Sequence, residues 1–448
     1  MPTPSRKNLL LISLDDCVAF WRYRDLFGQT LQTPNLDRIC AQPTAFHAAY
    51  SQVPLCGPSR ASLMSGQSPH TLGIFSNKVS VFDRISPKDM WAYRLKEQGW
   101  FCSSGGKVHH GFRPLAEEPH NVLYNDERKH FRIDIKLPPN REQTALGGHG
   151  NGLATLDPAD DHRYYDANST DSAIEFLNGQ KPGEPFYREV GFFGPHTPFI
   201  TPMRYKKLYR YGKMRQPEAW ENGWDHNAFA DTFMRENLDL KRNLHWQKSV
   251  RNYFSALSHV DHHLGRVWDA LKASPHAENT LVVILSDHGF HLGEKNRFRK
   301  TSLWEQVAGV PFILHDPARP EARVVNDPVA VIDVGPTVLD WMGLPPLENS
   351  PGVSLLPCME GAPPPDRAIP TFFNGSTGIR YGDYRFIRYE DGSTELFNIR
   401  DDWWCLKNLG PDHPEHAPML ERLMAMLPDW GVDPAKHWDA SGDDEDDD

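Results

Sequence analysis

The sequence lacks any long apolar run. Its first hydrophobic stretch, residues 9–14, is short and is followed at once by Asp15 and Asp16. No stretch approaches the roughly 18 apolar residues that a membrane-spanning helix needs. The first stretch also differs from the apolar segment and small-residue cleavage site of a signal peptide. We therefore expect no membrane partner, and we interpret the chain as cytoplasmic.

Cysteines and basic clusters are also scarce. The six cysteines form no C-x-x-C pair and no dense group, which excludes a disulfide scaffold and indicates free thiols. No long run of lysine or arginine is present and the formal net charge is −11, so we expect no nucleic-acid partner. All of the last six residues, 443–448, are acidic, which predicts an acidic disordered tail over residues 436–448.

Hydrophobic and aromatic residues, by contrast, are plentiful. The chain is 39% hydrophobic and has 13 Trp, 14 Tyr and 23 Phe, enough for a large buried core. Apolar runs at residues 8–14, 281–285 and 310–314 have the pattern of strands buried on both faces. Pro311 suggests that the third strand lies at an edge or begins there. Helical patterns lie between the first two runs, at residues 35–40, 88–98, 171–178 and 249–271. This alternation predicts an α/β fold with a mainly parallel central sheet sandwiched by helices.

The C-terminal part has a different pattern. Asp391-Gly392 has the composition of a hairpin turn and lies between two short strand patterns. The strand and helix patterns of this part cover residues 371–373, 384–389, 394–398 and 418–427. They predict a small antiparallel sheet with one helix.

These patterns also predict a domain organisation. The main α/β domain covers residues 1–360, with irregular insertions near residues 113–165 and 200–248. A small C-terminal α+β subdomain follows over residues 361–435. Insertions of this kind often wall the ligand pocket of an open α/β sheet.

Acidic residues follow two of the predicted buried strands. Asp15 and Asp16 come directly after the first, and Asp287 and His288 follow the second, after Ser286. Open parallel sheets bind ligands at the carboxyl ends of their strands, and adjacent buried carboxylates need a compensating positive charge. A divalent cation with oxygen ligands would supply it. The alternative is that the acids cap helices and the histidine packs in the core. The repetition at two strand ends favours a metal site.

A third candidate is the segment Cys56-Gly57-Pro58-Ser59-Arg60. Pro58 and Ser59 favour the start of a helix, so Cys56 would lie at a helix N-terminus, where negative charge is stabilised. Arg60, near the first turn, could reach an anion. The pattern predicts a nucleophilic thiol of low pKa. The alternative is a buried, inert cysteine in a turn.

The chain contains, in order, the motifs LDD at 14–16, CGPSR at 56–60, GKVHH at 106–110, GPHTPF at 194–199 and SDHGFHLGEKN at 286–296. Together they resemble those of the formylglycine-dependent (type I) sulfatases of the alkaline phosphatase superfamily, and the last motif resembles the iduronate-2-sulfatase-like branch closely. Several motifs in the right order are far more specific than any one of them. Ser65 stands where the family more often has threonine.

The resemblance implies that Cys56 is oxidised to formylglycine by a formylglycine-generating enzyme, and that the aldehyde hydrate is the nucleophile. A geminal diol can attack with one hydroxyl and later expel sulfate by returning to the aldehyde, whereas a thiol has no such exit. The resemblance also implies one divalent cation, Ca²⁺, with Mg²⁺ or Mn²⁺ as alternatives. Its ligands would be Asp15, Asp16, Cys56 as the hydrate, Asp287 and His288.

The resemblance assigns roles to the remaining site residues as well. Arg60 and Lys107 would hold the hydrate and the sulfuryl oxygens, and Lys300 would bind a sulfate oxygen. His196 would protonate the leaving alkoxide, and His110 would take a proton from the remaining hydroxyl to release sulfate. Lys107, His196 and Lys300 form the substrate-binding set. Other histidines are interpreted as structural, the middle two facing solvent on a helix: His109, His262, His263 and His291.

The implied function is hydrolysis of a small-molecule or carbohydrate sulfate monoester to an alcohol and inorganic sulfate. A phosphonate monoester or phosphodiester hydrolase shares the fold, the metal site and the cysteine motif, and is the alternative. A metal-binding protein with a dead site would need a lost role, yet every expected position is filled. The second insertion suggests a stacking platform for a ring or sugar, made of Trp220, Trp224, His226 and Phe229. A further candidate partner is a second copy of the chain, in a homo-oligomer.

Overall fold

The computed structural model describes residues 7–111, 113–131, 154, 158–233, 235–241 and 243–434. Much of the predicted first insertion and the whole acidic tail lie outside the described residues. The strands are β1 (Asn8–Leu14), β2 (Thr44–Tyr50), β3 (Phe101–Gly106), β4 (Phe186–Gly191), β5 (Thr280–Ser286), β6 (Gly309–His315), β7 (Arg323–Val325), β8 (Val329–Ala330), β9 (Ile369–Phe373), β10 (Ser376–Tyr381), β11 (Tyr384–Arg388) and β12 (Thr394–Asn398).

Most of the helices lie between strands β1 to β9 in the sequence. They are α1 (Pro34–Cys40), α2 (Cys56–Ser65), α3 (Pro69–Leu72), α4 (Trp91–Glu97), α5 (Glu117–Leu123), α6 (Tyr165–Gly179), α7 (Met203–Lys206), α8 (Ala230–Phe233), α9 (Asn243–Ala273), α10 (Glu305–Ala308), α11 (Val334–Met342), α12 (Leu356–Met359) and α13 (His416–Met426). None of the described helices combines the length and the apolar composition needed to cross a bilayer.

The main sheet has the strand order β3-β4-β1-β5-β6-β2-β7, and β8 also pairs with β2. β1 runs parallel to both β4 and β5, and β3 runs parallel to β4. Among the described strands of this sheet, β6 alone is reversed, because it pairs antiparallel with β5 and β2. The prediction of a mainly parallel central sheet is therefore confirmed.

The expected position of Pro311 is wrong. Strand β6 lies inside the sheet, between β5 and β2, and Pro311 is its third residue. The register of β2 against β6 shifts between Phe46 and Ala49, on either side of this point. A bulge of this kind accommodates a residue without an N–H group, because the regular ladder is interrupted there.

Alternate residues of β1 pack into two separate layers. Leu10, Ile12 and Leu14 join the cluster that contains residues of α1, α6 and α9. Leu9 and Leu11 join the cluster that contains residues of α2, α4 and α11. Successive side chains of a strand point to opposite faces, so the continuous apolar run of β1 matches a sheet covered by helices on both sides.

Helix α6 begins at Tyr165, so the start predicted for it at residue 171 is wrong. Its first turns carry polar side chains that are buried against neighbouring loops. Asp166 accepts hydrogen bonds from the backbone N–H groups of Phe193 and Gly194. These buried polar residues do not follow the apolar periodicity by which a helix is recognised in a sequence.

A second sheet of four antiparallel strands, in the order β12-β11-β10-β9, lies in the C-terminal part. One set of its apolar residues forms a cluster with those of α13 and of β2. The antiparallel sheet with one helix is as predicted, and β10 is an additional strand. Gly392 has φ +84° in the turn between β11 and β12, as the hairpin prediction requires.

Candidate active site

The two acidic pairs lie side by side because their strands are neighbours. β1 and β5 run parallel with Leu14 opposite Ser286, so the residues that follow them emerge at the same edge of the sheet. The backbone N–H of Asp16 donates to Asp287 Oδ1 at 3.2 Å. Asp15, Asp16 and Asp287 are each at most 1% exposed. The two strand ends thus bring three carboxylates into one buried space.

Asp16 has a left-handed backbone conformation, with φ +59°. Aspartate is among the few residues besides glycine that occupy this region. The Tyr253 hydroxyl, from α9, donates to the backbone oxygen of Asp16 at 2.6 Å and fixes this turn. The Asp16 carboxylate then lies 3.1 Å from Lys300 Nζ and 3.4 Å from His288 Nε2.

Cys56 is the first residue of α2 and is buried. Its Sγ lies 3.1 Å from Lys300 Nζ and 3.2 Å from His288 Nε2. Burial opposes ionisation of the thiol, but the ammonium groups of Lys300 and Lys107 outweigh it and hold the pKa of Cys56 well below its ordinary value. The helix N-terminus favours negative charge at the same place. The predicted low-pKa environment is therefore present around this residue.

Arg60 projects from the same helix and is buried at the centre of the site. Its Nε donates to Asp287 Oδ2 at 2.8 Å, and its terminal nitrogens donate to the backbone oxygens of Leu14 and Lys107 at 3.1 Å and 2.7 Å. Burial lowers the pKa of the guanidinium, but Asp287 and Asp15 more than offset this and raise the pKa above its ordinary value. Arg60 therefore joins the ends of β1 and β5 to the segment after β3.

Lys107 and Lys300 reach the acids from two segments that are far apart in the sequence. Lys107 follows β3, and its Nζ forms a buried ion pair with Asp15 Oδ2. Lys300 lies in the loop before α10. Burial lowers the pKa of Lys300, but Asp16 and Cys56 outweigh it and raise that pKa well above the ordinary value. Both ammonium groups are therefore held next to the acids and residue 56.

His196 and His110 are the more exposed members of the predicted set. His196 Nε2 lies 3.3 Å from Lys300 Nζ and 3.7 Å from Asp16 Oδ2, and its side chain is 19% exposed. His110 is exposed and lies against Gly57, where an added Cβ would be 3.4 Å from His110 Cγ. The two imidazoles thus lie between the buried acids and solvent.

His288 is oriented by its own backbone neighbour. Its Nδ1 lies 2.9 Å from the carbonyl oxygen of Gly289, so Nδ1 carries a proton and Nε2 faces the acids. Burial lowers the pKa of His288, but Asp287 and Cys56 outweigh it and raise the pKa to about 9. A hydrogen bond of this kind at the far nitrogen is typical of histidines that ligate metals.

The donor atoms of the site form two overlapping groups, each close enough to hold an ion, and Cys56 belongs to both. Atoms from one group of four residues lie within 4.8 Å of one another, and so do atoms from a second group of three. Asp16 Oδ2 is buried and has no hydrogen-bond partner among the described residues. An orphaned carboxylate oxygen is a fitting ligand for a hard cation. The groups are Asp15, Asp16, Cys56 and His196, and Cys56, Asp287 and His288.

Two residues in the site give no signal in the sequence. Asn77 Oδ1 accepts the backbone N–H of Gly57 at 2.8 Å and so caps the start of α2. Asp166 holds the loop that carries His196, through the N–H groups of Phe193 at 2.6 Å and Gly194 at 3.1 Å. Neither residue belongs to a motif or to a periodic pattern, and each acts through backbone groups far away in the sequence.

The prediction that Trp220 belongs to an aromatic stacking platform in the second insertion is wrong, because the side chain is buried. This side chain is 4% exposed, and its ring packs against Trp246 at 6.1 Å and Trp404 at 5.0 Å between centroids. The indole therefore belongs to the core. Phe229 packs against Tyr389, which directly follows β11.

One of the two helical histidines is also placed differently from the prediction. His262 is exposed as expected, but His263 is 3% exposed. Its Nε2 lies 3.0 Å from His259 Nε2 and its Nδ1 3.1 Å from Thr170 Oγ1. A polar network inside the helix layer satisfies this histidine, which periodicity alone does not reveal.

Comparison with known proteins identifies the family of this chain. The family model described as Sulfatase matches residues 7–344. A protein named sulfatase from Formosa agariphila is 30% identical over 94% of this chain and 86% of its own length. The chain therefore belongs to the sulfatase family and is a sulfuric ester hydrolase, which confirms the resemblance found in the motifs.

Other relatives span most of the chain as well. Human iduronate 2-sulfatase is 26% identical over 80% of this chain and 73% of its own length. A solved structure in complex with its substrate, D-glucosamine-2-N,6-O-disulfate, has a TM-score of 0.72 at 20% identity and covers 97% of this chain and 98% of that chain. Phosphonate monoester hydrolase of Agrobacterium radiobacter also has a TM-score of 0.72, at 19% identity, with 96% of each chain covered. These two structures show the shared fold.

Proposed function

We propose that this sulfatase hydrolyses a sulfate monoester through a formylglycine at position 56, with one divalent cation. The observation that carries the proposal is the position of Cys56, buried beside the acids with Sγ 3.1 Å from Lys300 Nζ and 3.2 Å from His288 Nε2. A cysteine that only fills the core has no reason to contact two cationic groups, whereas a residue that carries negative charge during a reaction is stabilised by them. Membership of the sulfatase family supports the proposal.

The cation would be Ca²⁺, with Mg²⁺ or Mn²⁺ as alternatives, because carboxylate oxygens dominate the donor set. A bound cation would lower the pKa of a coordinated hydroxyl and would neutralise negative charge on the transferred group. The orphaned Asp16 Oδ2 supports this assignment. The residues that would hold the ion are Asp15, Asp16, Asp287 and His288, together with residue 56.

The hydrated aldehyde of formylglycine supplies one hydroxyl for attack on sulfur and a second whose deprotonation permits the release of sulfate. Conversion of Cys56 requires a formylglycine-generating enzyme as a maturation partner. Residues of the chain orient residue 56 and stabilise its charge. Asn77 caps the first turn of α2, and the helix N-terminus and Lys300 stabilise negative charge on an oxygen of residue 56.

In the overall reaction, water and the ester R–O–SO₃⁻ give an alcohol, sulfate and one proton, and the bond between sulfur and the ester oxygen breaks. Lys300 Nζ lies between residue 56 and His196, where it would bind an oxygen of the transferred group. His196, partly exposed beside it, would give a proton to the ester oxygen as that oxygen leaves. The geometry therefore supports a leaving group that points toward solvent.

The remaining residues act on the charge and on the second proton. His110 lies against Gly57 and would take the proton whose loss releases sulfate. Lys107 would bind a sulfuryl oxygen from the side of Asp15. Arg60 donates to Asp287 and to the backbone at the end of β1, so we assign to it the neutralisation and alignment of the acids around residue 56.

The substrate we propose is a sulfated carbohydrate. The substrate named for one structural neighbour is D-glucosamine-2-N,6-O-disulfate, and another neighbour is described in complex with k-i-k-neocarrahexaose. Phosphonate monoester hydrolases share the same fold at equal similarity, so a phosphonate monoester or phosphodiester is the second candidate. Both groups offer oxygens to the same lysines and carry the same single negative charge, but phosphorus bears a second organic substituent where sulfur bears a further oxygen.

The test of the nucleophile is the mass of the peptide that contains residue 56. Protein co-produced with a formylglycine-generating enzyme should carry an aldehyde in place of the thiol, and turnover of an aryl sulfate should rise with the converted fraction. Cys56→Ala should abolish turnover while the thermal unfolding temperature stays near that of the parent. Turnover retained in the alanine variant would refute the assignment.

The test of substrate class compares an aryl sulfate with an aryl phosphonate monoester of the same leaving group. A larger kcat/KM for the sulfate is expected. A larger kcat/KM for the phosphonate would replace the sulfatase assignment of this site by the second candidate. Release of sulfate from mono- and disulfated sugars then tests the carbohydrate proposal.

A further inference from the structure

The loop that carries Lys300 has a strained backbone. Thr301, the next residue, has φ +72°, a left-handed conformation that a β-branched residue adopts only when the surrounding structure enforces it. The hydroxyl of Thr301 donates to the backbone oxygen of Lys300 at 2.5 Å, which is a local contact. The force that holds the loop must therefore come from elsewhere in the fold.

His291 holds this loop on both sides of Lys300. Its backbone N–H donates to the carbonyl oxygen of Arg299 at 2.6 Å, one residue before the lysine. Its Nε2 lies 2.7 Å from the hydroxyl of Ser302, two residues after the lysine. Main chain and side chain of one residue thus bracket the segment from which the lysine reaches Cys56.

Glu294 fixes the imidazole in turn. Its Oε1 lies 2.5 Å from His291 Nδ1, and its Oε2 accepts the backbone N–H of Leu292 at 3.0 Å. Burial lowers the pKa of His291, so the imidazole is neutral. A carboxylate can accept only, so Nδ1 carries the proton, Nε2 is the acceptor and the Ser302 hydroxyl donates. The three side chains therefore form a directed chain, with a defined donor and acceptor at each step.

The chain is sealed from water. Glu294 and His291 are 0% exposed and Ser302 is 3% exposed. Buried hydrogen bonds of this kind are not exchanged for water and leave an unsatisfied group when one partner is removed. The burial also prevents Ser302 from acting as a nucleophile, although the order carboxylate, imidazole, hydroxyl is that of a hydrolytic triad.

We propose that Glu294, His291 and Ser302 are positioning residues that hold the Lys300 ammonium against Asp16 and residue 56. The inference rests on the proposed role of Lys300. The lysine gains its catalytic geometry from a hydrogen-bonded chain that itself never touches the substrate. Loss of the Ser302 hydroxyl would release the C-terminal side of the segment 299–302 and let the ammonium leave its place between Cys56 and His196.

The first test is Ser302→Ala in the formylglycine-containing enzyme with an aryl sulfate. A misplaced catalytic group costs about tenfold to a hundredfold in rate, so we expect a fall of that size in kcat with little change in KM. Ser302→Thr keeps the hydroxyl and should retain most of the activity. Ser255→Ala is the matched control, because Ser255 is equally buried and donates to Arg251 O at 2.6 Å in α9.

The decisive test is a double-mutant cycle with Lys300→Ala. If Ser302 acts through the lysine, Ser302→Ala in the Lys300→Ala background should lower kcat by less than about twofold, because coupled residues are not additive. Independent, multiplicative losses would overturn the inference. An unaltered kcat in Lys300→Ala would refute the role of the lysine and the inference with it, while the nucleophile test at Cys56 would be unaffected.

A second variant covers the case in which Ser302→Ala does not fold. His291→Asn places an amide donor near the position of Nδ1, so the bond to Glu294 is kept and the bond to Ser302 is lost. Its kcat should fall as in Ser302→Ala, and it should show the same absence of further loss with Lys300→Ala. Wild-type kcat in a folded His291→Asn variant would contradict the proposal.

Discussion

At the scale of single residues, the site balances charge in a space that water hardly reaches. Three buried carboxylates face three buried cationic side chains. The acids are Asp15, Asp16 and Asp287, and the bases are Arg60, Lys107 and Lys300. Removing one member of such a set leaves a buried charge without compensation, which is far more costly than the pair itself is stabilising. A substitution that tests one role must therefore keep shape and backbone fit.

Asp16→Asn is such a substitution, because asparagine also tolerates the left-handed conformation that residue 16 adopts. On the proposed metal site, Ca²⁺ should raise the unfolding temperature of the parent, and loss of the carboxylate should remove this rise, since a ligand stabilises only the state that binds it. We expect turnover to fall together with it. The measurement is thermal unfolding with and without Ca²⁺ after treatment with a chelator. An undiminished Ca²⁺ effect in the variant would exclude Asp16 as a ligand.

At the scale of elements, α7 packs against α9 through a buried lysine. Lys206 is 2% exposed, and its Nζ donates to Asn252 Oδ1 at 2.8 Å. Burial lowers the pKa of Lys206 from 10.5 to about 7. Between these two values the unfolded chain binds a proton that the folded chain does not bind, so this group makes stability rise with pH. Its penalty is complete below about pH 7.

Lys206→Met should remove this pH dependence while filling nearly the same volume. The variant should gain stability relative to the parent at pH 7, and the gain should shrink as the pH rises toward 10. The measurement is the unfolding temperature of both proteins across this range. Lys181→Met is the control, because Lys181 is exposed and should give no pH-dependent difference. A constant difference at Lys206 would show that the lysine stays charged in the fold.

At the scale of the whole molecule, the C-terminal sheet supports the active site from one side. Arg385 of β11 donates to Glu305 Oε2 at 2.8 Å and to the backbone oxygen of Leu303 at 3.0 Å. Trp304 Nε1 donates to Glu395 of β12 at 2.9 Å. These contacts fix the segment that directly follows Lys300 and Ser302, so the small sheet contributes to the geometry of the site without entering it.

Arg385→Met should therefore destabilise the protein by about 3 kcal/mol, because it leaves the buried Glu305 carboxylate without its nearest cationic partner. The double variant Glu305→Gln, Arg385→Met should recover part of this loss, since it removes the unpaired charge as well. Urea unfolding of the parent, the two single variants and the double variant gives the coupling. Strictly additive losses would contradict a buried ion pair between α10 and the C-terminal sheet.

Much of the site could be predicted from the sequence because its parts are local. Each acidic pair follows a buried strand directly, and Cys56 begins a helix that Pro58 and Ser59 favour. Parallel neighbouring strands then bring such residues to one edge without further information. By contrast, β2, β3 and β4 were not predicted, because their sequences mix apolar residues with polar, glycine and histidine residues that are satisfied only by packing and long-range hydrogen bonds.

The sequence by itself determined the class of fold, the acids at two strand ends and the cysteine motif, since these depend on short-range pattern and on motif order. Only the tertiary structure decided three features. Strand β6, which contains Pro311, is antiparallel to its neighbours inside the sheet; Trp220 is buried; and His291 forms hydrogen bonds on both sides of Lys300. Each of these depends on segments far apart in the chain that meet through packing and directed hydrogen bonds. Periodicity describes one element at a time, so it contains no information about which distant partner satisfies a buried group.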